Sequence, residues 1–221
     1  MVEVFKNRNE AGLKLAQLLR EHLQGPNTIV LALPRGGVPV GFEVARSLGV
    51  KFSILPVRKL GVPSNPELAF GAVDPDGTVY LNPKVVEGFG LTEEVIKEVA
   101  AKELQELKRR VDIYLEGKFP NLTGREVVIV DDGFATGYTA LAACGFVQKR
   151  EPYRVILSAP VAPPDTVVFL ENNCNSPVVV YETPEPFFAV GMFYEDFHQL
   201  SDDEVIAYRE EAKKLGLWEP L

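Results

Sequence analysis

The sequence predicts an α/β fold in which a parallel twisted sheet is flanked by helices. Three observations carry that expectation. Val127-Val128-Ile129-Val130 is a short apolar run rich in β-branched residues, as a buried strand requires. It is followed by Asp131-Asp132, a glycine-containing turn and a run of helical character from Ala140 to Gln148. A similar strand, turn and helix order occurs earlier, over Thr28–Leu33, Pro34–Gly37 and Pro39–Leu48, followed by a strand at Phe52–Val57. Repeated βαβ order implies parallel strands joined by right-handed crossovers.

Leu13, Leu15, Ala16, Leu18, Leu19 and Leu23 predict an amphipathic helix from about Asn9 to His22. Pro39 sits in the first turn of the next helix, where its missing N–H is harmless. From Arg58 to Gly90 the chain is rich in Gly, Pro and Asn, and Asp74-Pro75-Asp76-Gly77 separates strand-like runs at Leu68–Val73 and Thr78–Leu81. That pattern predicts a hairpin. Thr92 then caps a long charged helix with Glu93 and Glu94 in its first turn and Lys108, Arg109 and Arg110 near its end. Residues 58–121 are therefore expected to be an insertion, with a mobile hairpin over Leu68–Leu81 as a candidate lid. After the acidic motif come a strand at Arg154–Ala159, a helix at Pro164–Glu171 and a strand at Val178–Tyr181. Pro184 to Phe197 is aromatic without periodicity, and Ser201-Asp202-Asp203-Glu204 is a capping box for a last helix reaching Lys214. Trp218 is expected to pin the tail to the body.

Composition narrows the function. The chain has 221 residues, which suits one large domain with an appendage or two small ones, and 46% of them are hydrophobic, enough for a sizeable core. A formal charge of −8 and a pI near 5.0 argue against a nucleic-acid surface. No apolar run approaches the ~20 residues of a membrane span, and Met1 to Lys6 does not read as a secretory signal. A cytoplasmic protein is the expectation. Cys144 and Cys174 have no metal spacing and read as small buried thiols.

The chemistry is concentrated in Asp131-Asp132-Gly133-Phe134-Ala135-Thr136-Gly137-Tyr138-Thr139. Two carboxylates at a strand's C-terminal edge can accept from the two hydroxyls of a ribose. The glycine turn and the helix N-terminus offer N–H donors to a phosphate, with hydroxyls from Thr136 and Thr139. A metal site of the receiver-domain type and a plain turn with solvated acids are the competing readings. A dinucleotide fingerprint is absent. Pro34-Arg35-Gly36-Gly37 follows the first strand and combines exposed amides with a fixed positive charge. Arg58-Lys59 follows the second strand and would aim two more cations into the same crevice.

This motif resembles the phosphoribosyl pyrophosphate (PRPP) signature of type I phosphoribosyltransferases. The resemblance covers nearly the whole chain. It is closest to a group of uncharacterised bacterial members that share Pro34 to Val40, Val57 to Pro63, Asn65 to Ala69, Pro160 to Pro164 and the aromatic stretch from Phe187 to Phe197. It implies the type I phosphoribosyltransferase fold over residues 1–221, with a small C-terminal hood at about 184–200. It also implies transfer of ribose 5-phosphate from PRPP to a nitrogenous base, with Mg²⁺ as cofactor. In that frame Asp131 and Asp132 hold the ribose hydroxyls and stand indirectly near the metal, and Ala135, Thr136, Gly137, Tyr138 and Thr139 cradle the 5′-phosphate. Arg35, Gly36 and Gly37 bind pyrophosphate, with a non-proline cis peptide expected at Pro34–Arg35. Arg58 and Lys59 contact PRPP, with Arg35 and Lys59 stabilising the leaving group, and Phe187 or Phe188 stacks on the base. The expected partners are PRPP and a nucleobase-like acceptor, with homo-oligomerisation left open. Two departures from the family pattern bear on substrate. Ala135 stands where purine salvage enzymes place an acid, and Leu157 to Ala162 lacks the lysine that reads a 6-oxopurine. A non-catalytic PRPP or nucleotide sensor of the same fold is the alternative, and a metal-dependent phosphatase a distant third. Neither His22 nor His198 fits as a base.

Overall fold

The computed structural model describes residues 4–25 and 27–220. In chain order its first elements are α1 (Arg8–Leu19), β1 (Ile29–Ala32), α2 (Gly37–Leu48) and β2 (Lys51–Ile54). Then come β3 (Arg58–Val62), β4 (Asn65–Val73), β5 (Val79–Leu81), α3 (Pro83–Gly88) and α4 (Glu93–Leu115). The remainder is β6 (Glu126–Val130), α5 (Tyr138–Gln148), β7 (Arg154–Val161), α6 (Pro164–Cys174), β8 (Val178–Glu182), a short 3₁₀ turn (Val190–Phe193) and α7 (Asp202–Lys214).

Five of these strands form a wholly parallel sheet in the order β2-β1-β6-β7-β8. Both faces are covered, which explains why the strands read as continuous apolar runs rather than alternating ones. On one face Ile29, Leu31, Val127, Ile129, Val155 and Leu157 pack against α5 and α6. On the other, Val30, Ala32, Val128, Val130 and Ile156 pack against α1, α2 and α7. Cys144 and Cys174 are buried free thiols on the first of these faces, and Trp218 ties the tail to β2 through a bridge with Phe52. Among the described residues no helix is long and apolar enough to cross a membrane.

The insertion differs from the sequence expectation in two ways. Arg58-Lys59 follows the second strand but itself opens β3, and β3-β4-β5 form a separate antiparallel sheet with its own core of Leu60, Val62, Phe70, Val73 and Leu107. Gly61, Pro63 and Pro66 break the sequence periodicity there, and the β3–β4 register shifts at Leu60 to Val62. The expected hairpin over Leu68–Leu81 is present but pinned. Lys149 at the end of α5 reaches the buried Asp74 at 3.1 Å, and Arg150 pairs with Asp76 at 3.0 Å. Residues 63–67, which include the β3–β4 turn, form a continuous exposed stretch of the insertion.

The hood also draws on a segment that the sequence did not associate with it. Phe5 forms a parallel bridge to Tyr194, its amide donates to Phe193 O at 2.8 Å, and its ring joins Val161, Phe193 and Tyr194 in a small aromatic core.

Candidate functional site

The order β2-β1-β6 places the sheet's switch point between β1 and β6, where the chain turns to opposite faces and a crevice opens outside the strand ends. The two expected loops meet there. Leu33 donates to Val130 O at 2.8 Å, so the Pro34–Gly37 turn lies alongside Asp131-Asp132. The Pro34–Arg35 peptide is cis, as the resemblance implied. Close approach explains both glycines. A Cβ on Gly36 would collide with Asp132 Oδ2, and one on Gly37 would lie 2.7 Å from Val130 O and 2.8 Å from Asp131 Cα.

The acidic pair is held tightly. Asp131 Oδ1 accepts from the Asp132 amide at 2.8 Å, and the Asp131 amide donates to Ser158 O of β7 at 3.2 Å. Burial at the strand ends, followed by the neighbouring Asp132 charge, pushes Asp131 well above the ordinary carboxylate range. Burial also raises Asp132, against the opposing pull of Arg8. Arg8 is the residue the sequence did not reveal. Its Nε donates to Asp132 Oδ2 at 2.8 Å, one terminal nitrogen donates to His198 O at 3.0 Å, and the guanidinium lies 4.0 Å over the Phe197 ring.

In the 135–139 turn, Gly137 takes φ +83° and caps α5. The first intrahelical bond runs from Leu141 to Gly137 O, leaving the amides of the first turn unpaired within the helix and available to an anion. Ala135 and Thr136 are exposed, and Thr139 is half-buried. Thr166 Oγ1 donates to Ala135 O at 2.6 Å and braces the turn. Tyr138 departs from expectation. Its ring is buried, with a centroid 5.1 Å from that of Phe169, so only its backbone faces the loop.

Two clefts lie beside the Pro34–Gly37 turn, and the narrower reaches Asp132. The narrower, about 360 Å³, is lined by Arg8, Arg35, Arg58, Arg110, Asp132 and Phe197 among others. The wider, about 840 Å³, runs between the β3–β4 hairpin and α4 and shares Arg35, Arg58 and Arg110 with it. Arg35 stands 3.7 Å from Asp202 at the start of α7, and Arg58 pairs with Glu103 of α4 at 2.6 Å. Lys59 does not join them in the narrow cleft. Arg58 lines both clefts, whereas Lys59 lines the wider one, where its amine donates to Glu67 O at 3.2 Å.

The aromatic candidates also separate. Phe187 stacks on Phe193 with centroids 5.1 Å apart and belongs to the hood's core. Phe188 is 76% exposed, while Val190 beside it packs onto Gly133 of the acidic motif. Phe197 lines the narrow cleft and stacks on Tyr194, whose hydroxyl donates to Asp132 O at 2.6 Å. His198 is clamped between Asp196 (2.9 Å) and Glu204 (3.0 Å), which raise its pKa. It serves as a strut rather than a base. His22 lies in the turn after α1.

No group of three or more His, Cys, Asp and Glu side chains among the described residues is disposed to hold a metal. The donor set is an adjacent carboxylate pair beside an arginine-lined cleft. That fits Mg²⁺ arriving on ligand phosphate oxygens, the usual arrangement for this ion.

The chain is 47% identical over 215 residues to "Putative phosphoribosyl transferase Rv0571c" of Mycobacterium tuberculosis (strain ATCC 25618 / H37Rv), covering 96% of this chain and 48% of that protein. The protein from strain CDC 1551, "Putative phosphoribosyl transferase MT0597", matches to the same extent. The chain thus spans about half the length of the curated relatives it matches. Among solved structures, TT1426 from Thermus thermophilus superposes with a TM-score of 0.76 at 38% identity, covering 93% of this chain and 97% of that one. The AQ2163 protein from Aquifex aeolicus, at a TM-score of 0.50 and 15% identity over 80% of this chain and 74% of that one, shares the fold alone. The family model for the phosphoribosyl transferase domain matches residues 3–180, a span that contains the glycine turn, the acid pair and the anion loop. The chain belongs to the phosphoribosyl transferase domain family.

Proposed function

We propose that this protein transfers the ribose 5-phosphate of PRPP to a nitrogenous base and releases pyrophosphate. The observation that carries the reading is the juxtaposition, at one switch point, of the Asp131-Asp132 pair, the open amides of the 135–139 turn and the Arg35-Gly36-Gly37 turn. The 5′-phosphate would sit on the first amides of α5 with Thr136 and Thr139. Asp131 and Asp132 would accept from the ribose 2′- and 3′-hydroxyls, and the arginine-lined cleft would take the diphosphate. Bound Mg²⁺ would neutralise diphosphate oxygens and lower the cost of their departure.

In the reaction the bond from the anomeric carbon to the pyrophosphate oxygen breaks, and its electron pair leaves with pyrophosphate. A ring nitrogen of the acceptor supplies the pair for the new bond, and a proton is lost from the acceptor. Positive charge develops on the ribose, close to the two carboxylates. Arg35 and Arg58 hold the leaving oxygens. Phe188 is the hood ring open to an acceptor; Phe187 stacks within the hood, and Phe197 is covered by Arg8 and Tyr194. The site excludes water to the extent that the β3–β4 turn closes over the wider cleft.

Ala135 and the Arg8–Asp132 pair favour a second reading, a PRPP or nucleotide sensor, because no carboxylate in the loop can take the acceptor's proton and one ribose acceptor already has an internal partner. Both readings imply a protein of the cytoplasm, where PRPP is made. Calorimetry of Mg²⁺–PRPP binding tests what they share. Affinity should fall at least about tenfold in Asp131→Asn/Asp132→Asn, an energy of ~1.4 kcal/mol. Equal affinity in the folded double variant would remove the ribose assignment.

A further inference from the structure

Asp132 and its neighbour Gly133 are fastened to the hood from three sides. The Tyr194 hydroxyl donates to Asp132 O at 2.6 Å, and Arg8 Nε donates to Asp132 Oδ2 at 2.8 Å. Val190 covers Gly133 so closely that a Cβ there would lie 2.5 Å from Val190 Cγ1. Arg8 also reaches back into the hood. One of its terminal nitrogens donates to His198 O at 3.0 Å, and its guanidinium lies 4.0 Å over the Phe197 ring, which stacks on Tyr194. Asp132, Arg8, Phe197 and Tyr194 thus close a ring of contacts. Val190, Tyr194, Phe197 and His198 all follow residue 180, where the match to the family model ends, so the matched domain does not supply this fastening.

Arg8 suits the junction by its chemistry. The side chains of Arg8 and Asp132 are 8% and 13% exposed, and either charge left alone so far from water would be costly. Burial raises Asp132 and the Arg8 guanidinium pulls it back down, so the pair favours the carboxylate, the form that accepts from hydroxyls. A carboxylate has about four acceptor sites, and Arg8 Nε takes one of them, so the contact leaves room for a sugar hydroxyl. The planar guanidinium serves a carboxylate and a carbonyl at its edge and a ring on its face, which a lysine amine cannot do at once.

We propose that Arg8 is a positioning residue that couples the ribose site to the hood: it holds Asp132 as an oriented acceptor and, through His198 O and Phe197, ties that orientation to the order of Tyr194 to His198. This rests on the phosphoribosyl-transfer reading, in which Asp132 accepts from the ribose. Coupling of this kind is reciprocal, so a sugar held by Asp132 steadies the hood by the same factor as the hood favours the sugar.

The test combines calorimetric titration of the full chain with hydrogen exchange at Tyr194 to His198, using ribose 5-phosphate and, separately, Mg²⁺–pyrophosphate. In the wild type, ribose 5-phosphate should slow exchange there. Arg8→Gln should weaken ribose 5-phosphate about tenfold, change pyrophosphate less than about twofold, and abolish the ribose-dependent protection. Arg8→Lys should recover part of the affinity but none of the protection, because its amine lacks the fork and the flat face. Tyr194→Phe cuts only the second tie, guards against a folding defect in the Arg8 variants, and should weaken ribose 5-phosphate several-fold with pyrophosphate unchanged. Arg46→Gln, a half-exposed charge paired with Glu43 on α2, should alter neither ligand. Unchanged ribose 5-phosphate affinity in Arg8→Gln and Tyr194→Phe would overturn the positioning role while leaving the transfer reading intact. Tighter binding in Arg8→Gln would overturn it as well, since Arg8 would then compete with the sugar for Asp132. Equal losses for both ligands would also overturn it, since a general disturbance would suffice. A wild-type protein that binds neither ligand removes the transfer reading and the positioning role together.

Discussion

Asp131 is placed where its charge is a burden on the fold. Burial and the adjacent Asp132 raise its pKa, so its charged form is disfavoured in the native state. A carboxyl group whose pKa is higher folded than unfolded stabilises the protein only while protonated. That contribution is complete below the unfolded value of about 3.9 and is lost as pH rises through the folded one. At pH 7 the charge therefore opposes folding, and Asp131→Asn should raise the melting temperature. The difference from wild type should shrink as pH falls towards the ordinary carboxylate range. Asp132→Asn should raise the melting temperature less, because the Arg8 guanidinium offsets part of the burial cost of the Asp132 charge and loses an ionic partner in the variant. Thermal scans of both variants from pH 4 to 8 check the contrast; a lower melting temperature for Asp131→Asn at pH 7 would contradict it. The acids were legible in the sequence because they end an apolar run next to a glycine turn. Arg8 was not, because it reaches Asp132 across 124 positions and sits in a helix start with no motif of its own.

At the scale of elements, capped and amphipathic helices were the easiest to read. Both arms of the Ser201–Glu204 capping box are present, and Thr92 accepts from the Val95 amide at the head of α4. The box also aligns Asp202 towards Arg35, so Ser201→Ala should cost about 1 kcal/mol in denaturant unfolding and slightly weaken anion binding. A loss of stability with no change in pyrophosphate affinity would separate the cap from the cleft. The hairpins were harder. Gly61, Pro63 and Pro66 look like loop residues in isolation, yet β3 and β4 pair around them because Leu60, Val62 and Phe70 have a core to fill against Leu107. Sequence punctuation located the Asp74–Gly77 turn but could not show the Lys149 and Arg150 anchors that pin it. Hydrogen exchange should therefore be slow at Phe70 to Val73 and fast at Ser64 to Glu67, with PRPP protecting the second group. Uniformly slow exchange over 61–73 with and without PRPP would remove the β3–β4 turn as a lid.

Taken as one molecule, the chain uses its parallel sheet to hold three loops at a single edge and its two additions to roof them. Strand order, which no local pattern encodes, makes β1 and β6 neighbours and so brings Arg35 to Asp132. The repeated βαβ order was enough to expect a parallel sheet, but the small sheet on α4 and the contribution of Phe5 to the hood depend on contacts between distant segments. Under the proposed function Phe188 is the exposed hood ring for an acceptor, and Leu157 to Ala162 carries no lysine to read a 6-oxopurine. The chemistry proposed for this sheet edge is transfer from PRPP. Its most direct test is pyrophosphate release from Mg²⁺–PRPP in the presence of a panel of purine, pyrimidine and pyridine bases. Release that depends on one class of base, and that is lost in Asp131→Asn/Asp132→Asn, is the expected result. PRPP binding without release against every base would contradict transfer and leave a sensor in its place.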